Sequence, residues 1–340
     1  MNRLSLYFTG PDTVDVREEP VPMPAQGQVM VKSFISGISS GTESLIYRGQ
    51  VSFGHALDAT IPQLSGNFRF PFKYGYSIVG TVISLGPGVD SSWMGKDVFT
   101  FHPHESLFVT STNELVEIPK GISRQDAVFL SNMETAVNLV MDGSPVLGEN
   151  VVVMGQGIVG LLTTAILSRF PLNLLITLDF HTLRRQVSQQ LGAHISLEPE
   201  SEEFGELLRD GNSTGADLTY EISGDTGALS RAIGLTGFGG RVVIGSWYGS
   251  KPVSLSLDTD FHRSRIRMIS SQVSTIAPEF SGRWNKPRRF RTAWHMIDTV
   301  KPARLVSHYF PITQAGNAYR MLDENPGKFT QIVFTYPEAV

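Results

Sequence analysis

The apolar positions of the chain change their arrangement near residue 130. Before about residue 119, short apolar segments alternate with Gly, Pro, Asn and Asp, a pattern typical of β-strands joined by turns. The predicted strands of this half are residues 28–36, 78–84, 97–101, 107–110 and 115–118. The pattern therefore predicts a β-rich first domain.

From about residue 124 to residue 271, short apolar runs alternate with segments of helical periodicity. The predicted strands are residues 151–154, 174–178, 194–197, 218–222, 241–245 and 267–270. Strands that alternate with helices and are apolar on both faces indicate a doubly wound parallel sheet. The tail predicts helices at 290–300 and 312–322 and a strand at 331–335, which we expect to return to the first domain.

A glycine-rich turn joins the first predicted parallel strand to an apolar helix. Its sequence is Gly155-Gln156-Gly157-Ile158-Val159-Gly160. In this context the first glycine permits a tight turn, the second lets backbone N–H groups approach a pyrophosphate, and the third lets the helix pack on the strand. We therefore expect a dinucleotide site here.

Three charged positions bear on which dinucleotide the loop would bind. Asp179 lies 24 residues after Gly155, at the end of the next strand, where a carboxylate accepts hydrogen bonds from a ribose diol. This favours NAD, because a 2′-phosphate would be repelled. Arg184 and Arg185 follow closely and keep NADP as an alternative.

The composition excludes several kinds of chemistry and of binding partner. The chain contains no cysteine, so disulfides, thiolate metal ligands and cysteine nucleophiles are excluded. A net charge of −4 gives no reason to expect nucleic acid as a partner. Glycines interrupt the one long apolar run, residues 151–168, so no membrane span is predicted. Residues 1–10 lack the apolar core of a signal peptide, and a cytoplasmic location is expected.

The order of parts resembles the medium-chain dehydrogenase/reductase superfamily over nearly the whole chain. Several motifs narrow the resemblance to the branch that contains the bacteriochlorophyllide dehydrogenases. They are Ser39-Ser40-Gly41-Thr42-Glu43, Lys73-Tyr74-Gly75-Tyr76, His102-Pro103-His104, Glu134-Thr135-Ala136-Val137-Asn138, Ser246-Trp247-Tyr248-Gly249 and Ser271-Gln272-Val273. The resemblance implies an α/β protein with a GroES-like catalytic domain at 1–124 and 280–340 and a Rossmann domain at 125–279. It also implies a homodimer or homotetramer.

Further cofactor contacts are expected on the second domain. The resemblance places Thr135 beside a nicotinamide ring. Ser223, Gly245, Ser246 and Gln272 follow later predicted strands, where an open α/β sheet places its ligand.

The sequence departs from the zinc-containing members of the superfamily. The positions that the resemblance assigns to the catalytic zinc ligands hold Ser39, Tyr76 and Ser131, and the lobe for a structural zinc is missing. Neutral hydroxyls are poor zinc ligands, so no metal is predicted. His102 and His104 are interpreted as packing or substrate-contact residues rather than as a metal pair.

Without a metal, side chains must handle the proton on the substrate oxygen. Tyr76 is the predicted proton donor. Ser39 and Thr42 either relay protons to it or form a simple turn. Glu43 and Lys73 belong to the same motifs and lie nearby in the sequence. A tyrosine pKa of about 10 is too high for a base at neutral pH. Only Lys73 has the sign needed to lower it.

The substrate is less well specified. The long segment between Glu43 and Lys73 is rich in aromatic residues, which form either a pocket for a large apolar substrate or a local core. A basic run, Arg283, Lys286, Arg288, Arg289 and Arg291, is more typical of a solvated junction than of an anion site.

The favoured function is zinc-independent, NAD(P)-dependent hydride transfer between a secondary alcohol and its ketone. The alternatives are an NADPH-dependent quinone or enoyl reductase and a cofactor-binding protein without turnover.

Overall fold

The computed structural model describes residues 1–58, 60–210 and 213–337. The chain forms two compact units, one built from Met1–Ser131 and Ile297–Val340 and the other from Asn132–Met296. Within the described residues, no helix is long and apolar enough to cross a membrane.

The first unit contains most of its strands in the N-terminal segment. They are β1 (Asn2–Gly10), β2 (Thr13–Pro20), β3 (Gln28–Gly37), β4 (Ile78–Leu85), β5 (Asp97–Thr100), β6 (Leu107–Ser111) and β7 (Val116–Glu117). Two short helices, α1 (Thr42–Tyr47) and α2 (Arg124–Ala127), belong to the same segment. The β1–β2 hairpin was not predicted as strands; in β2 the apolar signal is limited to Val14 and Val16, which charged residues follow.

The chain passes into the second unit through α3 (Leu130–Gly143). The strands that follow are β8 (Asn150–Met154), β9 (Leu174–Leu178), β10 (Ile195–Leu197), β11 (Arg209–Asp210), β12 (Ser213–Thr214), β13 (Ala216–Glu221), β14 (Thr236–Ile244) and β15 (Arg267–Ser270). The helices are α4 (Ile158–Leu167), α5 (Thr182–Gln190), α6 (Phe204–Leu207), α7 (Ala228–Leu235) and α8 (Lys286–Val300).

Six of these strands form one parallel sheet in the order β10-β9-β8-β13-β14-β15. The order reverses between β8 and β13, which is the doubly wound arrangement in which ligands lie beyond the carboxyl ends of the strands. The predicted Rossmann sheet is thus confirmed. Strand β14 begins five residues earlier than predicted, because Thr236 pairs with Ala216 before a register shift.

The tail returns to the first unit with β16 (Val306–Pro311), α9 (Ala315–Glu324) and β17 (Gln331–Thr335). Strand β17 pairs antiparallel with β3, where Val333 lies opposite Gly37. The expected return of the tail strand is therefore confirmed, and it completes a seven-stranded sheet.

The aromatic segment between α1 and β4 packs largely as a local core. Phe68 and Phe72 are buried with Phe8, and their rings contact one another. Phe53 is exposed and lies edge-on to Phe70. The segment is therefore mostly core, with one exposed aromatic at its margin.

Candidate functional site

The three loop glycines of the second unit have three different surroundings. Gly155 has φ +91°, and a Cβ there would lie 2.6 Å from the Ser223 Cα, so both the backbone and the packing require glycine. A Cβ on Gly160 would lie 1.9 Å from the Gly155 carbonyl oxygen, which is the close helix approach expected from the sequence. A Cβ on Gly157 would meet nothing within 4 Å. The glycine at 157 is thus not explained by packing within the protein.

Gly157 is also the N-cap of α4, and no side chain caps this helix. The first N–H groups of a helix have no intrahelical partner and attract anions. The open space at Gly157 therefore lies where backbone donors and the helix dipole favour a phosphate. Ile158 and Val159 form the first turn behind it, with Ile158 buried.

Asp179 follows β9 and is hydrogen-bonded to the glycine loop. One carboxylate oxygen accepts from the Gln156 N–H at 2.7 Å and the other from the His181 N–H at 2.8 Å. The Arg184 guanidinium lies 3.8 Å from Asp179. Burial lowers the pKa of Arg184, and Asp179 offsets part of that shift. The predicted ribose-binding carboxylate thus also fixes the backbone of the loop.

The other predicted cofactor positions follow the carboxyl ends of neighbouring strands. Ser223 comes two residues after β13, Gly245 and Ser246 follow β14 directly, and Gln272 comes two residues after β15. The parallel sheet therefore brings them to one edge with Gly155 and Asp179. Thr135 does not follow a strand of this sheet. It lies in the first half of α3 and is half-buried.

Glu221, at the end of β13, is a functional candidate that the sequence reasoning missed. Its buried carboxylate accepts hydrogen bonds from the Ser223 N–H at 2.8 Å, from the Ser223 hydroxyl and from the Tyr248 phenol. Burial raises the pKa of Tyr248, and the charge of Glu221 raises it further. Glu221 thus ties together the loops after β13 and β14. A carboxylate ending an apolar strand is the signal that could have revealed it.

The first unit holds a hydroxyl cluster around Tyr76. The Ser39 hydroxyl and the Tyr76 phenol share a hydrogen bond, and the Thr42 hydroxyl lies 3.4 Å from the same phenol oxygen. Burial raises the pKa of Tyr76, and the hydrogen bonds with Ser39 and Thr42 offset only part of that rise. Tyr76 therefore carries its proton at neutral pH, which suits a donor and not a base.

Glu43 is fully buried beside this cluster. Its carboxylate accepts from the Ser39 backbone N–H at 2.8 Å, lies 3.1 Å from the His104 Nε2, and accepts from the Tyr319 phenol. The other ring nitrogen of His104 lies 2.7 Å from the Ser36 hydroxyl. Glu43 thus fixes the backbone at Ser39. Tyr319 was missed because it lies 276 residues away in the sequence.

The structure places Lys73 away from Tyr76. Its ammonium group lies 2.5 Å from a carboxylate oxygen of Glu105 and 2.5 Å from one of Glu19. Burial acts to lower the pKa of Lys73, but the two carboxylates outweigh it and raise the pKa. The expectation that Lys73 lowers the pKa of Tyr76 is corrected: Lys73 belongs to a separate ion-pair cluster, and the pKa of Tyr76 is raised.

The hydroxyls at the three positions compared with zinc ligands belong to two separate hydrogen-bonded pairs. Ser39 and Tyr76 form one, and Ser131 donates to Ser77 at 3.1 Å in the other. His102 stacks on Phe108 at 4.0 Å, separately from the His104 contacts. In the part of the chain that the structure describes, no group of three or more His, Cys, Asp or Glu side chains suits a metal ion.

Comparison with known proteins supports the fold and the resemblance to dehydrogenases. No family model matches the chain. The chain is 25% identical over 370 residues to the uncharacterized zinc-type alcohol dehydrogenase-like protein YphC of Escherichia coli K12, covering 98% of this chain and 99% of YphC. It is 24% identical over 230 residues to D-guloside 3-dehydrogenase of the same organism, covering 66% of each.

Solved structures share the fold at low identity. The structure of the short chain alcohol dehydrogenase RspB from E. coli CFT073, complexed with NADH, has a TM-score of 0.78 at 20% identity and covers 98% of this chain and 99% of RspB. 2R,3R-butanediol dehydrogenase of Bacillus subtilis has a TM-score of 0.79 at 17% identity and covers 99% and 100%. The resemblance of the chain to the medium-chain dehydrogenase/reductase superfamily is confirmed by these relatives and by the shared fold. The narrower resemblance to bacteriochlorophyllide dehydrogenases stays a prediction.

Proposed function

We propose that the chain is an NAD(P)-dependent oxidoreductase that interconverts a secondary alcohol and its ketone without zinc. The observation that carries this proposal is the open glycine at the start of α4. At Gly157 the chain has glycine where a side chain would meet no protein atom, and it does so at an uncapped helix N-terminus. A dinucleotide phosphate supplies the physical reason for that glycine.

NAD is the proposed cofactor, with NADP as the alternative. The Asp179 carboxylate adjoins the loop, and its negative charge disfavours a 2′-phosphate. Arg184 is the nearby cation that keeps NADP as the alternative, since an arginine can pair with a 2′-phosphate. Among the solved structures of this fold, RspB is complexed with NADH, and a zinc-binding dehydrogenase of Sinorhizobium meliloti 1021 is bound to NADP.

Tyr76 is the proposed proton donor. When bound, the nicotinamide supplies the hydride acceptor or donor. In the reducing direction, the neutral Tyr76 phenol gives its proton to the carbonyl oxygen as that oxygen gains charge. The Ser39 hydroxyl then donates to the phenolate oxygen, consistent with the lowering effect of Ser39 on the pKa of Tyr76. Glu43 supports this step indirectly because it holds the backbone of Ser39.

The class of substrate follows from relatives rather than from a pocket. Relatives of this chain include proteins named D-guloside 3-dehydrogenase and sorbitol dehydrogenase, which favours a secondary hydroxyl of a polyol or sugar derivative. A large apolar substrate, such as an aromatic one, stays a prediction, and Phe53 is the exposed side chain of the aromatic segment that would contact it. Zinc independence is proposed from the donor set, since Ser39 and Tyr76 offer only neutral hydroxyls.

Three measurements test the proposal. Calorimetry with NADH and NADPH should give binding of at least one, and tighter binding of NADH. A panel of polyols, ketones, quinones and enones should show hydride transfer with alcohols or ketones. The activity should survive dialysis against a chelator. Failure to bind either nucleotide refutes the cofactor assignment, turnover of enones or quinones alone favours the double-bond reductase, and activity that returns only with zinc refutes zinc independence.

A further inference from the structure

Arg289 has an unusual environment for a residue in a basic run. It is 0% exposed, whereas its neighbours Arg288 and Arg291 are exposed. The expectation of a solvated junction is therefore wrong at this position. Burying a guanidinium is unfavourable unless its donors are satisfied, so a buried arginine requires a structural explanation.

All five N–H donors of Arg289 have acceptors. Nε and Nη2 donate to one carboxylate oxygen of Glu134 at 3.0 and 2.8 Å, and Nη1 donates to the Asn138 side-chain oxygen at 2.5 Å. The two remaining donors bind backbone carbonyl oxygens, Nη1 that of Thr275 at 2.8 Å and Nη2 that of Val273. The planar fork thus joins α3 to the loop that follows β15.

A second contact fastens the same loop to α3. The Asn138 amide nitrogen donates to the Ser271 hydroxyl at 3.0 Å and to Asp142 at 2.8 Å. Residues 271, 273 and 275 of this loop are therefore each hydrogen-bonded to the side chain of Asn138 or of Arg289. Gln272, which lies between the first two, is exposed.

The position of this loop connects it with the cofactor. In a doubly wound sheet, each half binds one mononucleotide beyond the strand ends. The glycine loop and Asp179 belong to the half formed by β8, β9 and β10. Gln272 follows β15 in the other half, which would receive the nicotinamide nucleotide. Thr135, the other expected nicotinamide neighbour, directly follows Glu134 in α3.

We propose that Arg289 is a positioning residue for the nicotinamide half of the cofactor. It holds Thr135, through Glu134, and Gln272, through the carbonyl groups of Val273 and Thr275, in one fixed arrangement. The five donors of Arg289 bind α3 and the loop after β15, and none of them binds the glycine loop or Asp179, so we expect the adenosine half to be independent of Arg289. This inference rests on the proposed use of NAD(P).

The test compares two ligands on Arg289→Lys. Lysine keeps the charge but cannot reproduce the planar five-donor fork. NADH contains the nicotinamide nucleoside and ADP-ribose lacks the nicotinamide. We expect the Kd for NADH to rise on the order of tenfold while the Kd for ADP-ribose stays unchanged. Arg291→Lys, at an exposed position in the same helix, is the matched control and should change neither value.

Ser271→Ala is a milder substitution that perturbs the same loop, because it removes only the hydroxyl bonded to Asn138. If Arg289→Lys does not fold, the same selective loss of NADH affinity in Ser271→Ala decides the question. Equal weakening of both ligands, or no change for NADH in folded variants, overturns the positioning role while leaving the proposed function intact. A wild-type protein that binds neither ligand refutes the proposed function itself.

Discussion

Ser39 and Tyr76 lie 37 residues apart in the sequence and share a hydrogen bond between their hydroxyl groups. Glu43 holds the Ser39 backbone from the other side, so the pair has a fixed geometry in the first unit. The family resemblance aligns both residues with ligands of a catalytic zinc, whereas here they form a hydrogen-bonded pair of hydroxyls. This pairing makes the protonation state of Tyr76 the central chemical question.

Replacing Tyr76 by Phe should remove the proton donor while preserving the ring. We expect ketone reduction to slow by about 10²–10⁴-fold in kcat, the usual contribution of a positioned acid. The Kd for NADH should not change. Tyr309→Phe makes the same chemical change at an exposed position of the first unit and should leave kcat intact. Equal kcat values for Tyr76→Phe and the wild type would disprove the assignment.

The raised pKa of Tyr76 predicts a specific pH dependence. The active form is the neutral phenol, so kcat for reduction should be flat through neutral pH and fall only as the pH rises through a pKa above about 10. In Ser39→Ala the falling limb should move to still higher pH, because the Ser39 hydrogen bond lowers that pKa. Ser44→Ala, which removes a hydroxyl bonded to the Ser40 carbonyl, is the control. A limb centred near neutral pH would contradict the donor role.

The sequence predicted those parts of the fold that local hydrophobic patterns determine, and it predicted the contacts within the candidate site less well. Strands of the second unit are apolar on both faces and are separated by helices, so their parallel order followed from the pattern. Strand β2 gave a weaker signal, because Val14 and Val16 are followed by a run of charged residues. Buried polar groups were hardest to predict: Glu43, His104 and Tyr319 meet only in the folded chain. For the same reason Lys73 was misassigned, since its carboxylate partners come from two distant segments.

Replacing Asp179 by Asn tests the cofactor preference. The amide oxygen can still accept one of the two backbone hydrogen bonds, from Gln156 or from His181, but the negative charge is lost. We expect the ratio of NADPH to NADH affinity to rise about tenfold, equivalent to about 1.4 kcal/mol. Glu198→Gln, which neutralises an exposed carboxylate paired with Arg185, serves as the control. If both affinities fall in parallel, Asp179 acts only on the loop and not on the cofactor phosphate.

The glycine loop permits a test that separates folding from binding. Gly155→Ala should destabilise the second unit by more than about 1 kcal/mol, because alanine at φ +91° is strained and its Cβ would collide with Ser223. Gly157→Ala places a methyl group in open space at an ordinary negative φ, so the unfolding midpoint should stay close to that of the wild type. The same methyl group would occupy the space proposed for the phosphate, and NADH affinity should fall at least about tenfold.

Gly282→Ala is the matched control, because its Cβ also meets nothing within 4 Å and it lies outside the loop. Calorimetry with NADH and thermal unfolding of all three variants give the required readouts. The decisive pattern is Gly157→Ala with normal stability and lost binding, beside Gly282→Ala with both intact. Normal NADH binding by Gly157→Ala would show that the space at the start of α4 is not where the phosphate lies, and the argument from that glycine would fail.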